Sequence, residues 1–566
     1  MKAKTTQKGQ GFVQGALILM FANVVVKLIG ALFKLPLTNM IGEQAMGYFS
    51  SAYSIFTTFF IISTAGLPVA MSRMVAAAHA RGDEAEVRQI FSVGMRVFLV
   101  LGTVGTAIMV ALSGLVEQAT KQVGLHYSLF ALAPTLFFIG IISAYRGFFQ
   151  GKHNMIPTAV SQTVEALGKL VCGLLLSSFA IRAFPDQPWI WAAFAILGVT
   201  IGVIFSFFYL FFAKRLSARA EAAPQSFVPS RTNRTVLREL IAIAIPITLA
   251  AVMINLTSNI DVFTIVPILS AQGLNEDIAN TLYGAYTAHA VTLFNLVPAL
   301  TQAFSISIIP AVSAARAKMD DLLARRTMNS AIKIVSCITL PASLGMIALS
   351  TPIIDFLFGT EPMHYVVSAD GPLKGTSQLI TNAAGEALKS SDVSAPLLAI
   401  LAISIFLGGL YSCTGSILQA CGQEKKSIIS AVSGILTKLV SAWVLISIPE
   451  IGLLGAPIST TLCYLVMLLL NFYFLHRYAH YSPKVTSFFL RPLVASLLCA
   501  ATAFGIYTGL HLQGYGTLAL VAAIGAAAFV YVVVLLLIRA LDQEDIEMLP
   551  KGDALARLLT KLKLLK

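Results

Sequence analysis

The sequence predicts an all-α polytopic membrane protein with 14 transmembrane helices. Of its 566 residues, 57% are apolar and only 11% are charged. A soluble domain needs more polar surface than this composition supplies. The apolar runs reach the length of about twenty residues that a membrane-spanning helix requires, and they are much longer than the strands of a membrane barrel.

Fourteen apolar runs are separated by polar segments along the chain. Several runs are longer than a bilayer requires, which predicts tilted or kinked helices or helical extensions. Prolines within the runs, such as Pro36 in the first, are candidates for kinks. The predicted spans are about 11–40, 46–78, 89–115, 126–150, 156–181, 188–213, 237–267, 280–313, 329–358, 395–420, 427–448, 451–475, 487–511 and 515–540.

The distribution of Lys and Arg predicts the orientation of the chain. With a cytoplasmic N-terminus, 30 of the 39 basic residues fall on the cytoplasmic side and 4 in outer loops. Cytoplasmic loops of membrane proteins are enriched in this way. The net charge of +13 therefore reflects topology and does not indicate a nucleic-acid partner. Both termini are predicted to be cytoplasmic, and the remaining basic residues lie inside spans: Lys27, Lys34, Arg96, Lys169 and Lys438.

An internal repeat divides the spans into two halves. Six spans separate the copies, and an even number preserves orientation, which predicts two six-helix lobes related by a pseudo-two-fold axis along the membrane normal. We predict an N-terminal lobe at 1–215, a cytoplasmic linker at 216–236, a C-terminal lobe at 237–478 and two further helices within 485–541. At an offset of 269 residues, Gln150, Ser161 and Lys169 match Gln419, Ser430 and Lys438.

Two segments lie outside the predicted spans. The outer loop 359–394 is long, polar and rich in Gly, Ser and Asp, which leaves a small ordered cap and a flexible excursion both open. The tail 542–566 places its leucines on one face, with Arg557 and Lys561 largely outside it. This pattern predicts a cytoplasmic amphipathic helix at the inner membrane surface.

Polar side chains inside the spans are the candidates for function. In the fifth span, Glu165 and Lys169 are four residues apart, which predicts an ion pair on a face turned toward protein. Lys27 and Lys34 share one face of the first span, either as snorkelling anchors or as cations in a cavity. Asp261 in the seventh span is either a functional group or a structural hydrogen-bonding partner.

The segment from Arg146 to Glu165 carries a family resemblance. It reads R-G-x-F-Q-G, a short polar turn, P-T-A-x-S-Q and then Glu. This pattern resembles the MOP exporter superfamily, in the branch of polysaccharide transporters and stage V sporulation protein B, which is related to MurJ-type lipid II flippases. The segment STAGLPVAMSRMV in the second span resembles the same branch, and it contains Arg73.

The resemblance implies a flippase of the bacterial cytoplasmic membrane that moves a lipid-linked saccharide by alternating access. Lipid II is the first expectation and another polyprenyl-diphosphate oligosaccharide the second. The expected partners are this substrate, membrane lipid and a coupling ion or the membrane potential, without a cofactor, and the chain is expected to act as a monomer. The expected substrate-binding residues are Lys27, Lys34, Arg73, Asn255, Asn259 and His289. Structural or coupling roles are expected for Arg146, Gln150, Gln162, Glu165, Lys169, Asp261 and Lys438.

Two alternatives remain open from the sequence. A cation-coupled drug exporter of the MATE type predicts an acidic cavity rather than a basic one. A membrane glycosyltransferase or polymerase needs catalytic acids at the outer face, where Glu361, Asp370 and Asp392 are available. Because no H-E-x-x-H, P-loop or G-x-S-x-G motif occurs in a supporting context, we predict that the chain is not an enzyme.

Overall fold

The structure, a computed structural model, is built almost entirely of helices. It describes residues 2–220, 231–297, 301, 308–309, 312–313, 316, 320–368, 374–382, 385–479, 481 and 489–538. Within these residues, eleven helices are long and apolar enough to cross a membrane. The chain is therefore a multi-pass, all-α membrane protein. The predicted tail helix at 542–566 lies outside the described residues.

The chain forms two compact units. The first contains residues 1–284 and 364–380, and the second contains 285–363 and 381–566. The predicted lobes divide instead at the linker 216–236, so the lobe boundaries and their symmetry stay a prediction. The first unit contains α1 (Lys2–Thr64), α2 (Leu67–Ala80), α3 (Glu84–Thr120), α4 (Leu125–Gly151), α5 (Ile156–Ala183), α6 (Pro188–Ala220), α7 (Asn233–Ala271) and most of α8 (Glu276–Ala285).

The second unit begins with a π-helical turn at Tyr286–Ala290. Its core joins the middle helices through buried side chains such as Ile332, Val335, Leu410 and Leu475. The helices that follow the turn are α9 (Val291–Phe294), α10 (Asp321–Ala348), α11 (Ser350–Phe358), α12 (Ser390–Ala420), α13 (Glu424–Ile446), α14 (Gly455–Ala479), α15 (Arg491–His511) and α16 (Gly516–Leu537).

The core of the first unit explains why α7 belongs to it. Leu240 and Ala244 of α7 are buried in one cluster with Met71 of α2 and Ile90 of α3. Burial of apolar side chains is the main favourable contribution to such packing. The seventh span is thus held by α2 and α3, a contact that the hydropathy of the span does not reveal.

The first helix bends at Gly42. Its φ is 73° and its ψ is 173°, so the residue leaves the helical region at this point. Side chains other than glycine rarely adopt a positive φ, which makes glycine the fitting residue here. The first predicted span and the beginning of the second therefore both lie in α1, with the bend between them, and the second span continues in α2.

Small residues allow α5 and α6 to pack closely. A Cβ atom added at Gly198 would lie 2.3 Å from the backbone of Gly173 on the facing helix. Close approach of backbones through small residues is a common way for membrane helices to associate. This contact fixes α5, which carries Glu165 and Lys169, against its neighbour.

The long loop 359–394 is ordered in its described parts. Strand β1 (His364–Val366) pairs in antiparallel register with β2 (Ser377–Leu379), with Tyr365 opposite Gln378. The Tyr365 hydroxyl also donates to Gln378 Oε1 over 2.8 Å. The described residues of the loop thus form a small ordered structure rather than a flexible excursion. The hairpin belongs to the first unit, although the chain on both sides of it belongs to the second.

A buried amide holds this hairpin to α1. Gln44 is 4% exposed; its Nε2 donates to Val366 O over 2.9 Å, and its Oε1 accepts from Val366 N over 2.7 Å. Gln44 Nε2 also donates to Asp277 Oδ1, and Asp277 Oδ2 accepts from Ser368 N over 2.8 Å. Burial raises the pKa of the Asp277 carboxyl, while the bonds from Ser368 and Gln44 act in the opposite direction.

We expect Gln44→Ala to release the hairpin from α1. The change leaves both backbone groups of Val366 and one oxygen of Asp277 without this partner, and each unsatisfied buried group costs about 1–3 kcal/mol. Hydrogen–deuterium exchange should show faster exchange at 364–368 and 377–379. The control is Glu361→Ala, because Glu361 is exposed and lies beside the hairpin. Unchanged protection in Gln44→Ala would contradict this role.

Candidate functional site

The motif that carries the family resemblance folds into one polar cluster. Arg146 of α4 donates from Nε to Ser161 Oγ over 3.0 Å and from Nη2 to Glu165 Oε2 over 2.8 Å. Nη2 also lies 3.3 Å from Ser206 Oγ of α6. One guanidinium thereby connects three helices, and its planar fork of donors suits such multiple bonding.

The predicted ion pair between Glu165 and Lys169 is wrong. The two residues do share a face of α5, but the carboxylate turns to Arg146, which offers a charge-assisted bond from the neighbouring helix. Arg146 and Glu165 have side chains that are 15% and 27% exposed. Sequence spacing identified the right carboxylate, whereas its partner comes from another helix.

Lys169 lies instead between two aromatic rings of α1. Its Nζ is 4.9 Å from the ring centroid of Phe33 and 4.7 Å from that of Tyr53. Cations within about 6 Å of a ring centroid are attracted by the ring face. The ammonium is therefore held at the contact between α1 and α5 by these rings, and no ion pair of Lys169 with a carboxylate occurs among the described residues.

Lys34 lies near enough to Lys169 for the two charges to repel. Lys34 is half-buried, and Lys27, two turns earlier, is exposed. Neighbouring cations at membrane depth are costly and mark sites that face protein or water. An anion bound between them would relieve this repulsion. Lys34 and Lys169 thus act on each other in the first unit, and we refer to these two residues, together with Lys27 on the same face of α1, as the cationic cluster.

The polar residues of α7 make structural contacts in this conformation. Asn255 Nδ2 donates to Ala251 O in its own helix over 3.2 Å. Asn259 Nδ2 donates to Thr58 Oγ1 of α1. Asp261 is 8% exposed, and its charge acts on Tyr283 of α8. These contacts tie α7 to the same unit as the cationic cluster, and the proposed substrate role of the asparagines stays a prediction.

His289 lies in the second unit and is fully buried. Its Nδ1 lies 2.9 Å from Ser394 Oγ, and its ring centroid is 4.1 Å from that of Phe358. The residue is part of the π-helical turn Tyr286–Ala290, and such irregular turns are frequent at functional sites. Its predicted contact with substrate stays a prediction.

The remaining candidates are spread over both units. Arg73 is exposed on α2, and Gln150 and Gln162 are half-buried on α4 and α5. Lys438 of the second unit is only 3% exposed, which is consistent with a position inside a helix bundle. The repeat therefore pairs two lysines, Lys169 and Lys438, that both lie largely away from solvent.

Among the acids considered for an enzymatic outer face, Asp392 has a structural role. Its Oδ2 accepts from Lys389 N over 3.0 Å at the start of α12. Asp370 lies outside the described residues. In the part of the chain that the structure describes, no group of three or more His, Cys, Asp or Glu side chains could hold a metal ion.

The family follows from comparison with known sequences. The model of the polysaccharide biosynthesis protein family matches residues 12–316, which include the Arg146–Glu165 motif and the cationic cluster. The chain belongs to this family. The match covers more than half of the chain, so the predicted resemblance to the polysaccharide-transporter branch of the MOP superfamily is confirmed.

Two proteins of Bacillus subtilis are similar to this chain over most of its length. The lipid II flippase MurJ is 24% identical in an alignment of 487 positions that covers 83% of this chain and 84% of that protein. Stage V sporulation protein B is 24% identical in an alignment of 553 positions that covers 96% of this chain and 98% of that protein.

Solved structures show the same fold. The inward closed conformation of lipid II flippase MurJ superposes with a TM-score of 0.64 at 14% identity, covering 92% of this chain and 98% of that one. An inward-facing MATE family transporter of the MOP superfamily superposes with a TM-score of 0.59 at 14% identity, covering 82% and 96%. This polysaccharide biosynthesis family member therefore has a MurJ- and MATE-like fold.

The sequence analysis did not identify the aromatic rings that contact Lys169, or the Gln44 amide that holds the hairpin to α1. Phe33 and Tyr53 look like ordinary lipid-facing or core aromatics until α5 is placed beside them. Gln44 lies two residues after Gly42, and a glutamine so close to a glycine within an apolar run is a signal that could have identified it. Asp277 lies before the predicted eighth span and resembles a loop residue in the sequence, whereas it belongs to the first turn of α8.

Proposed function

We propose that this protein is a flippase that moves a lipid-linked saccharide across the bacterial cytoplasmic membrane by alternating access. The substrate we infer is lipid II or another polyprenyl-diphosphate oligosaccharide. The chain binds it as a monomer and does so without enzymatic chemistry. Support comes from the family, from the two Bacillus relatives and from the cationic cluster of the first unit.

The observation that carries the proposal is the arrangement of side chains around α1. A buried face contains Ala22, Ile29 and Phe33, and large exposed apolar side chains form another face with Phe21, Leu28 and Leu32. Successive residues are about 100° apart around a helix, so Lys27 and Lys34 share a third face, roughly 130° from each of the other two. They are separated from the apolar face that suits lipid, which favours cavity cations over snorkelling anchors.

A diphosphate fits this cationic surface. Charge contact with phosphate requires cations, and the attraction strengthens where water is scarce. The lipid tail of such a substrate stays in the bilayer while the headgroup passes through the protein. With a cell interior at negative potential, outward movement of an anion gains roughly 2.3 kcal/mol per charge per 100 mV. The membrane potential can therefore drive transport without ATP.

We also propose fourteen spans in two six-helix lobes plus two C-terminal helices, with both ends in the cytoplasm. Eleven candidate spans lie in the described residues, and one of them, Phe21–Ala80, extends across the bend at Gly42. Dividing that candidate at the bend gives twelve spans. Adding α7 and the segment that begins at Glu276 brings the number to fourteen. The asymmetry of basic residues supports the orientation.

The test is transport in proteoliposomes that contain the purified chain. A fluorescent polyprenyl-diphosphate disaccharide is placed in both leaflets, and a membrane-impermeant reductant reports the fraction that reaches the outer leaflet. We expect exchange between leaflets with the wild type, stimulated by a potential. Absence of exchange, together with efflux of cationic dyes in the same vesicles, would overturn the proposal in favour of a MATE-type exporter.

A further inference from the structure

The first unit contains an apolar groove whose walls do not include the lysines of the cationic cluster. It has a volume of about 520 Å³ and lies among α1, α2, α3 and α7. Its walls include Leu67, Val100, Ile241 and Ile245. The volume falls within the range of about 300–1,000 Å³ that is typical of small-molecule sites.

The groove opens toward the surface of the helix bundle. Val100 is 61% exposed, Ile245 is 51% exposed and Ile62 is 43% exposed. Large apolar side chains at such exposure in a membrane helix are suited to contact with hydrocarbon rather than water. A hydrocarbon chain therefore matches this groove.

One wall of the groove carries a charge. Arg96 of α3 is exposed, and it is the charged residue among those that line the groove. Within the described residues, no acidic side chain forms an ion pair with Arg96. The nearest charged network on α3 is centred on Glu86, which pairs with Arg81 and Arg231.

The position of Arg96 along α3 decides which ligand it suits. At about 1.5 Å per residue, Arg96 lies roughly 15 Å from Glu86, well inside a hydrocarbon core of about 30 Å. Side chains of a helix lean toward its N-terminus, which directs the guanidinium back toward the charged end of α3. An arginine at this depth needs an anion or a polar headgroup near it.

We propose that this groove binds one anionic phospholipid of the surrounding bilayer. The phosphate accepts hydrogen bonds from the planar guanidinium of Arg96, and an acyl chain lies along Val100 and Ile245. The guanidinium fork matches phosphate geometry, and the apolar wall matches the chain. The lipid comes from the leaflet at the end of α3 that carries Glu86. The proposal does not depend on which saccharide is transported.

The bound lipid would contact both α3 and α7, which pack together in the core of the first unit. Thr248 of α7 lies at the groove and accepts a hydrogen bond from Gly66 N over 3.2 Å, at the junction of α1 and α2. Occupancy should therefore stabilise the packing of α7, and the thermal stability of the purified chain should depend on anionic lipid.

The test uses the full chain in nanodiscs of phosphatidylcholine with a minor fraction of spin-labelled phosphatidylglycerol. A nitroxide at position 245, attached to an Ile245→Cys variant, reports contact with the labelled lipid. We expect Arg96→Gln to weaken phosphatidylglycerol binding about tenfold or more, and Arg96→Lys to weaken it less. The control is Arg88→Gln, since Arg88 is exposed on the same helix outside the groove.

Each outcome decides the proposal. Weaker binding in Arg96→Gln with unchanged binding in Arg88→Gln supports it. Equal binding in wild type and Arg96→Gln overturns it, as does equal loss in both glutamine variants. An Ile245→Trp variant, which fills the groove from an exposed position, should also lower lipid contact measured from a label at position 100. Displacement of the labelled lipid by a polyprenyl diphosphate alone would overturn the choice of a bilayer phospholipid.

Discussion

Combined replacement of Lys27 and Lys34 by alanine is expected to abolish transport of the lipid-linked saccharide. The two lysines supply positive charge on a third face of α1, which is separate from its buried face and from its apolar exposed face. Loss of one charged hydrogen bond costs about 1.5–3 kcal/mol, so the pair should lower transport by two orders of magnitude or more. The measurement is leaflet exchange in proteoliposomes that contain equal amounts of folded protein.

Charge and geometry are separated by a second pair of variants. Lys27→Arg with Lys34→Arg keeps both charges and should retain most activity, because phosphate accepts either side chain. Lys425→Ala, at an exposed position on α13, is the matched control and should transport normally. Hydrophilic thiol reagents should label a cysteine at position 27, and the substrate should slow that labelling. Full activity in the double alanine variant would leave both lysines as membrane anchors.

Removal of one partner from the Arg146–Glu165 pair is expected to destabilise the first unit strongly. Arg146→Met leaves Glu165 without its cation and two serine hydroxyls without a donor. A broken buried pair costs about 3–5 kcal/mol, and the 27% exposure of Glu165 should lower that cost. Thermal unfolding of the purified protein in detergent measures the effect. Among the single and double variants of this pair, Arg146→Met should lower the unfolding temperature most.

Double variants identify the true partner of the carboxylate. Arg146→Met combined with Glu165→Gln should be more stable than Arg146→Met alone, because no unpaired charge remains. In Lys169→Met combined with Glu165→Gln, the loss of stability should equal the sum of the losses in the two single variants. The reason is that the Lys169 ammonium contacts the rings of Phe33 and Tyr53 and not Glu165. If Lys169→Met, and not Arg146→Met, restored thermal stability to the Glu165→Gln variant, the carboxylate would be paired with Lys169 of its own helix.

The sequence alone determined the class of this protein and the helices that carry its polar groups. Apolar runs of bilayer length lead to membrane helices because lipid leaves backbone groups no other partners. A charged residue in such a run must face protein, water or a headgroup, so Glu165, Lys169 and Lys27 could be identified without coordinates. The motif around Arg146 identified the family.

Only the tertiary structure decided which groups meet. Side-chain spacing specifies the face of one helix, but it contains no information about the helix opposite. The partner of Glu165 therefore proved to be Arg146 of α4, and Lys169 lies against two rings of α1. The docking of the hairpin by Gln44 and the groove beside Arg96 arise in the same way, because both are assembled from segments far apart in the chain.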